Sequence, residues 1–268
     1  MKVIGPYFIE NGKLQIRDKN LMQGSNFVYE VLRIIDSVPL YWSDHFNRLV
    51  ASAGRMQLPV LFSAESLKME VCSLLEANGL THTNLLIVLD PRGWCRAYTL
   101  ETHYPELRVY QEGISVQTVE ITRSDPQAKV MKPSQRTLVD GLLATTGMYE
   151  LLLVNSAGHI TEGSRSNVFF VCGNELVTAP ESVVLVGITR QYVLHICSTL
   201  GLVICEKALT IPEAKLADAA FITGTTPKVM PIRYLNGQQF NHKHPKLLQI
   251  MEVYDLYLRD YIANNRRL

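Results

Sequence analysis

Ile160-Thr161-Glu162-Gly163-Ser164-Arg165-Ser166-Asn167-Val168-Phe169-Phe170-Val171 sets a carboxylate and a glycine, then small polar residues, before an apolar β-rich run. Glycine admits the close approach of a flat ligand, and a carboxylate there is what pairing with a protonated heterocyclic nitrogen needs. Alone, the same residues also make a surface turn closed by their own Ser and Asn side chains. Three further segments bear on the choice. Val186-Gly187-Ile188-Thr189-Arg190 opens a helical pattern with Tyr192, Val193, Ile196 and Leu200 on one face and Gly201 at the stop. The free N–H groups and positive dipole end at such a helix start suit a phosphate. Phe221-Ile222-Thr223-Gly224-Thr225-Thr226 is an apolar strand running into small hydroxyl residues, where Thr225 Oγ1 and main-chain N–H groups can receive an anion. Lys129 stands in the polar stretch 127–132, where an amine is ordinarily solvated and a Schiff-base role requires partial desolvation.

Composition narrows the class around these segments. With 268 residues, 47% hydrophobic and 19% charged, the chain suits one or two globular domains with a sizeable core. The 26 Lys and Arg against 25 Asp and Glu leave no basic footprint of the kind that holds phosphate backbones, so nucleic acid is excluded as a main partner. The first residues, MKVIGPYFIENGK, are broken by Pro6, Glu10 and Asn11, and the densest apolar run, 85–89, is far short of a membrane span. The expectation is a cytoplasmic protein with no membrane partner. Five cysteines without a C-x-x-C pair argue against a disulfide framework and a zinc site, and no metal is assigned.

The pattern along the chain alternates strand and helix. A hairpin flanks Asn11-Gly12 (2–9 and 12–17), a strand covers 26–35, and a short run follows over 38–42. Ser43 or Asp44 offers an N-cap for a helix ending near Leu58-Pro59, and a second helix covers 64–78. Strands at 83–90, 94–101 and 107–120 complete a first α/β lobe, 1–120. A polar segment with two prolines gives the inter-lobe linker, 121–128, and the remainder, 129–268, forms a larger second lobe. There a helix is expected near 134–148 and strands at 150–156, 167–172, 202–207, 219–223 and 229–234. A helix of about twenty residues closes the chain.

From about Asn26 onward the sequence resembles the class IV aminotransferases, the pyridoxal-phosphate enzymes that include branched-chain and D-amino-acid aminotransferases and aminodeoxychorismate lyase. ITEGSRSNVFFV resembles the family's E-G-(x)3-N-x-F, VGITR its G-I-T-R, and FITGTTPKVMPI its strand ending in G-T. Asp44-His45-Phe46-Asn47-Arg48-Leu49 is similar to E-H-x-x-R-L, and Tyr29-Glu30 to its aromatic-Glu pair. The resemblance implies an α/β (α+β) fold of type IV, with a small N-terminal α/β lobe and a larger C-terminal lobe built as a pseudo-barrel. It implies pyridoxal 5'-phosphate as cofactor and a homodimer in which a loop of one first lobe reaches the other subunit's site.

Residue by residue, the resemblance gives Lys129 as the Schiff-base lysine, since it lies about twenty residues before the Glu150 strand. Glu162 contacts the pyridine nitrogen. Ile188 and Thr189 N–H groups, Thr225 and Arg48 hold the phosphate, and Ser164 joins the cofactor contacts. Tyr29, Val31 and Thr226 face the substrate, and Arg92 and Arg96 are candidates for its carboxylate. Departures are the altered glycine loop Gly24-Ser25-Asn26, Lys132 where an amide is usual, and Lys228 where a Glu is usual. The reading is transfer of an amino group from an amino acid to a 2-oxo acid. Its rivals are aminodeoxychorismate lyase, which often has Thr at the position of Val31, and a non-catalytic cofactor-binding protein.

Overall fold

The computed structural model describes residues 2–17 and 27–266. They divide into two compact units, one within 1–103, 128–133 and 259–268, the other within 104–127 and 134–258. Gly24-Ser25-Asn26, the altered glycine loop of the sequence reading, lies outside the described residues.

The first unit is a six-stranded sheet with helices on one face. Strands β1 (Val3–Glu10) and β2 (Lys13–Ile16) form a hairpin through Asn11-Gly12, whose φ values of 46° and 79° are those of the tight turn that Asn-Gly favours. Strand β3 (Val28–Ile35) turns through Asp36-Ser37 into the two-residue β4 (Val38–Pro39). Helix α1 (Trp42–Arg55) follows directly. Its N-cap is Tyr41, in the left-handed region at φ 52°, so the helix begins earlier than the expected Ser43 or Asp44 cap. Helix α2 (Ala64–Ala77) is closed at its start by reciprocal Ser63 and Ser66 hydrogen bonds. Strands β5 (Thr83–Leu89) and β6 (Cys95–Leu100) complete the order β2-β1-β6-β5-β3-β4.

Strand alternation separates the two faces of this sheet. Val28, Leu32 and Ile34 of β3 pack with Leu85, Ile87, Leu89 and Ala97 beneath Leu49 and Ala53 of α1 and Leu67, Val71 and Leu74 of α2. On the opposite face Phe8, Phe27, Leu86, Val88, Tyr98, Leu100 and Met131 cluster, with Tyr29 and Val31 against them. Phe8 and Tyr98 stack with ring centroids 5.4 Å apart.

The second unit opens with helix α3 (Leu107–Glu112) and strand β7 (Ile114–Glu120). The sequence reading joined these as one strand of the first lobe, and two things correct it. Arg108 and Glu112 form a one-turn ion pair at 2.7 Å that favours helix, and Gly113 at φ 69° breaks the run. Strand β7 pairs in parallel with strands of the second sheet, so it belongs there. Helix α4 (Pro133–Thr146) leads to β8 (Glu150–Val154), β9 (Ile160–Gly163), β10 (Asn167–Cys172) and β11 (Glu175–Thr178). Helix α5 (Ile188–Thr199), strand β12 (Val203–Glu206) and the short α6 (Ile211–Ala214) come next. Strands β13 (Ala219–Gly224), β14 (Lys228–Leu235) and β15 (Gln238–Gln239) follow, and helix α7 (Pro245–Asn265) ends the chain, its part from Arg259 onward counting with the first unit.

These strands make a nine-stranded mixed sheet, β12-β11-β10-β13-β14-β7-β8-β9, with β15 paired to β14. Ile114, Val116, Leu152, Val168, Phe170, Ala220, Ile222 and Ile232 form its main core. Phe169 and Phe221 stack on the other side at 5.0 Å. Strand β9 is absent from the sequence reading, which sets Glu162 directly before the 167–172 strand. Glu162 therefore sits within a strand, 3% exposed, instead of ahead of one. Among the described residues no helix is long and apolar enough to cross a membrane.

Candidate active site

In the first unit, the segment carrying Lys129 is laid along β3. Val28 and Val130 form an antiparallel bridge, Tyr29 N–H donates to Lys129 O at 3.0 Å, and Met131 N–H donates to Phe27 O at 2.9 Å. Lys129 N–H donates to Ser52 Oγ of α1 at 3.2 Å. These bonds fix the Lys129 backbone from both sides. Val130 packs with the helix-side core and Met131 with the Tyr98 side, so Lys129, of the same parity as Met131, takes the Tyr29 side. Its Nζ lies 5.0 Å from the Tyr29 ring centroid, and the residue is half-buried. The Tyr29 ring beside the amine removes part of its water, which favours the neutral amine, while the ring's attraction for an ammonium works the other way.

Arg48 is held from behind. Its Nε donates to Glu30 Oε1 at 2.8 Å and its NH2 to Glu30 Oε2 at 2.7 Å, a two-point pairing that fixes the guanidinium plane. Glu30 is fully buried and also accepts from His45 Nδ1 at 2.9 Å. Burial works to raise its carboxyl, but the Arg48 charge, the Arg48 hydrogen bonds and His45 outweigh it and lower the group to about 2. Burial holds His45 below the ordinary imidazole value despite Glu30, so it is the neutral ring whose Nδ1–H faces the carboxylate. The sequence reading named Glu30 and His45 only as parts of motifs. Their role is to hold Arg48.

Tyr29 and Val31 pack on the sheet face that carries Tyr98, whose hydroxyl burial pushes up to about 12. Arg96 pairs with Glu10 at 2.7 Å, and β6 alternation puts it on the same face as Tyr98. Arg92 differs: it closes the hairpin on Asp90 at 2.7 Å, lies over Trp94 at 4.4 Å, and is largely exposed.

The second unit assembles an anion cradle and a buried carboxylate. Glu162 Oε1 accepts from Arg123 NH1 at 2.8 Å, and Oε2 accepts from Leu185 N–H at 3.0 Å. Asn167 Nδ2 donates to Leu185 O at 2.8 Å, so Glu162 and Asn167 grip one residue by its N–H and its C=O. This explains the E-x4-N spacing: both side chains anchor the lead-in to α5. Gly187, the N-cap of α5, has no side chain to offer the first N–H groups, and a Cβ there would lie 2.1 Å from Asn167 Oδ1. The Ile188 and Thr189 N–H groups thus open a helix of twelve residues whose approach only glycine leaves clear.

Thr225 and Thr226 are half-buried in the β13–β14 turn. Thr223 Oγ1, at the end of β13 and in register with Asn167, is buried without a hydrogen-bond partner among the described residues. Ser164 donates to Glu150, which also accepts from Ser166 Oγ at 2.9 Å and Arg165 N–H at 3.2 Å. Glu150 is thereby the hub that shapes the loop between Glu162 and Asn167, which the sequence reading used only as a ruler. Arg190, the last residue of G-I-T-R, is fully buried and pairs with Glu206 at 2.6 Å and Glu181 at 3.1 Å, so it fixes α5 instead of meeting a ligand. Lys228 pairs with Asp255 at 2.6 Å. The donor set fits a phosphorylated ring with a protonable nitrogen: N–H groups and hydroxyls for the phosphate, a buried carboxylate for the nitrogen.

The model of the family described as amino-transferase class IV matches residues 27–235. A D-alanine aminotransferase of Bacillus licheniformis is 30% identical over 247 residues, covering 87% of this chain and 86% of that protein. A crystal structure of the branched-chain aminotransferase of Thermoproteus uzoniensis with norvaline superposes with a TM-score of 0.83 at 26% identity, covering 97% of this chain and 98% of that one. A Legionella pneumophila structure provisionally named a 4-amino-4-deoxychorismate lyase has a TM-score of 0.79 at 20% identity, covering 89% and 97%.

Proposed function

Because this chain belongs to the class IV aminotransferases, we propose that it moves an amino group from an amino acid to a 2-oxo acid with pyridoxal phosphate held covalently on Lys129. The observation that carries the reading is the Lys129 segment bonded along β3, with its amine 5.0 Å from the Tyr29 ring. When bound, the cofactor supplies a conjugated ring that takes up the electron pair left as the substrate Cα–H bond breaks.

The residues assigned to the reaction include Lys129, Arg48, Tyr29, Val31 and Arg96. Lys129 Nζ would hold the cofactor covalently and, once freed, would take the proton from the substrate Cα as base and return it as acid. Arg48, held in orientation by Glu30, would offer its remaining N–H donors to the phosphate. Both candidates for the substrate carboxylate are paired with a carboxylate, Arg96 with Glu10 and Arg92 with Asp90; Arg96 is favoured because it shares the sheet face of Tyr29 and Tyr98. Glu162 would hold a proton at the ring nitrogen, and Ile188, Thr189 and Thr225 would hold the phosphate. Ser164 acts through Glu150 in shaping the Glu162 loop, and Thr226 lies beside Thr225 for the substrate. The working form is a homodimer, carried over from the family.

Peptide mapping after borohydride reduction of the reconstituted protein tests the attachment. The label is expected on Lys129, and a label on Lys132 refutes the assignment. The second reading, elimination of pyruvate from aminodeoxychorismate, draws on the Legionella likeness. Val31 on the Tyr29 face disfavours it, because a hydroxyl is lacking where lyases often carry one. Pyruvate release with no 2-oxo acid acceptor would reverse that choice.

A further inference from the structure

Glu162 is nine-tenths and more buried, yet neither of its oxygens is left to the ligand alone. Arg123 NH1 stands 2.8 Å from Oε1 and Leu185 N–H 3.0 Å from Oε2. Arg123 is itself mostly buried, in the segment that continues β7 alongside β8 through Ile121 N–H to Val154 O at 3.1 Å. A carboxylate removed from water keeps its charge only with partners of this kind, and donors on both oxygens favour the deprotonated form. A carboxylate and a pyridine nitrogen sharing one proton have two arrangements. In one the ring carries the proton and both groups are charged; in the other the carboxyl carries it and both are neutral. Burial by itself favours the neutral pair, because two charges lose hydration.

Resting on the function proposed above, we infer that Arg123 is a positioning residue that keeps the shared proton on the cofactor's ring nitrogen by holding Glu162 as the anion. It touches neither substrate nor cofactor in this role. The guanidinium contacts the carboxylate directly, NH1 to Oε1 at 2.8 Å, whereas a ring nitrogen would meet it only through that carboxylate. Its attraction for the anion therefore exceeds its repulsion of a protonated ring. Leu185 adds a neutral donor to the other oxygen and, through its C=O to Asn167, ties the carboxylate to the start of α5.

The test is the 15N chemical shift of the ring nitrogen of labelled pyridoxal phosphate bound to the full chain at neutral pH. The wild-type protein is expected to show the protonated-ring shift. Arg123→Gln keeps a hydrogen-bond donor and removes the charge, and it moves the signal toward the neutral ring; Arg123→Lys returns it toward the wild-type position. Arg123→Met is a second neutral replacement if the glutamine protein does not fold. A merely structural role for Arg123 would alter affinity and leave the shift in place. Identical shifts in wild type and the neutral variants overturn the inference and leave the functional reading standing. Failure of the wild-type protein to bind the cofactor at all overturns the functional reading itself.

Discussion

Replacing Glu30 by glutamine removes the charge at the centre of the first unit's buried network and nearly keeps its volume. The carboxyl falls from 4.5 to about 2 on folding because Arg48 and His45 outweigh its burial. A drop of that size is worth about 3 kcal/mol of linkage at neutral pH. The side chain is wholly buried, so solvent does not screen it. The sign follows from a depressed acid: the stabilisation is complete above the unfolded value near 4.5 and is lost as pH falls toward about 2. Glu30→Gln is expected to lower unfolding free energy by about 3 kcal/mol at pH 7, and by only about 1 kcal/mol near pH 3. Both tryptophans, Trp42 and Trp94, lie in the first unit, so urea unfolding of the apoprotein followed by tryptophan fluorescence reads that unit. A loss below about 1 kcal/mol at pH 7, or one that does not change with pH, would refute the argument that Arg48 is held by a buried carboxylate.

Other outcomes follow from the same geometry. Arg48→Ala weakens cofactor binding on the order of ten- to a hundredfold, the worth of hydrogen bonds to a charged group, in titrations of the apoprotein. Gly187→Ala drives a Cβ into Asn167 Oδ1, costs about 1–3 kcal/mol, and is read as a lower Tm together with weaker phosphate binding; an unchanged protein would mean the helix start is not the cradle. Glu162→Gln retains the cofactor and slows the half-reaction by roughly tenfold or more, because an amide cannot balance a protonated ring. Light scattering of the reconstituted protein at low micromolar concentration is expected to give a dimer, and a fully active monomer contradicts that.

What the sequence made legible was local chemistry with a strong periodic or turn signal. Asn11-Gly12, the extent of α2 over 64–78 and the α5 face were readable because turn residues and helical spacing determine each backbone outcome. The run 107–120 was not, since Val109 and Tyr110 favour a strand locally while the Arg108–Glu112 pair and Gly113 turn it into helix and break. Strand β9 was hidden because its four residues pair with β8 across a register shift, and Thr-Glu-Gly carries no strand pattern of its own. The motifs named Lys129, Arg48 and Glu162, but their holders lie far away in sequence. Arg123 is 39 residues from Glu162, and Glu30 is 18 from Arg48. Such pairings are set by topology, and only the folded chain reveals them.

The central claim is amino transfer through Lys129, and the half-reaction tests it most directly. The reconstituted protein is mixed with single amino acids of both hands, in the absence of any acceptor, while cofactor absorbance and 2-oxo acid are followed. At least one amino acid is predicted to convert the cofactor to its aminated form with one equivalent of 2-oxo acid released, and Lys129→Ala is predicted to abolish that conversion. Full conversion by the Lys129→Ala protein, or no conversion with any amino acid alongside acceptor-free pyruvate release from aminodeoxychorismate, would contradict the account.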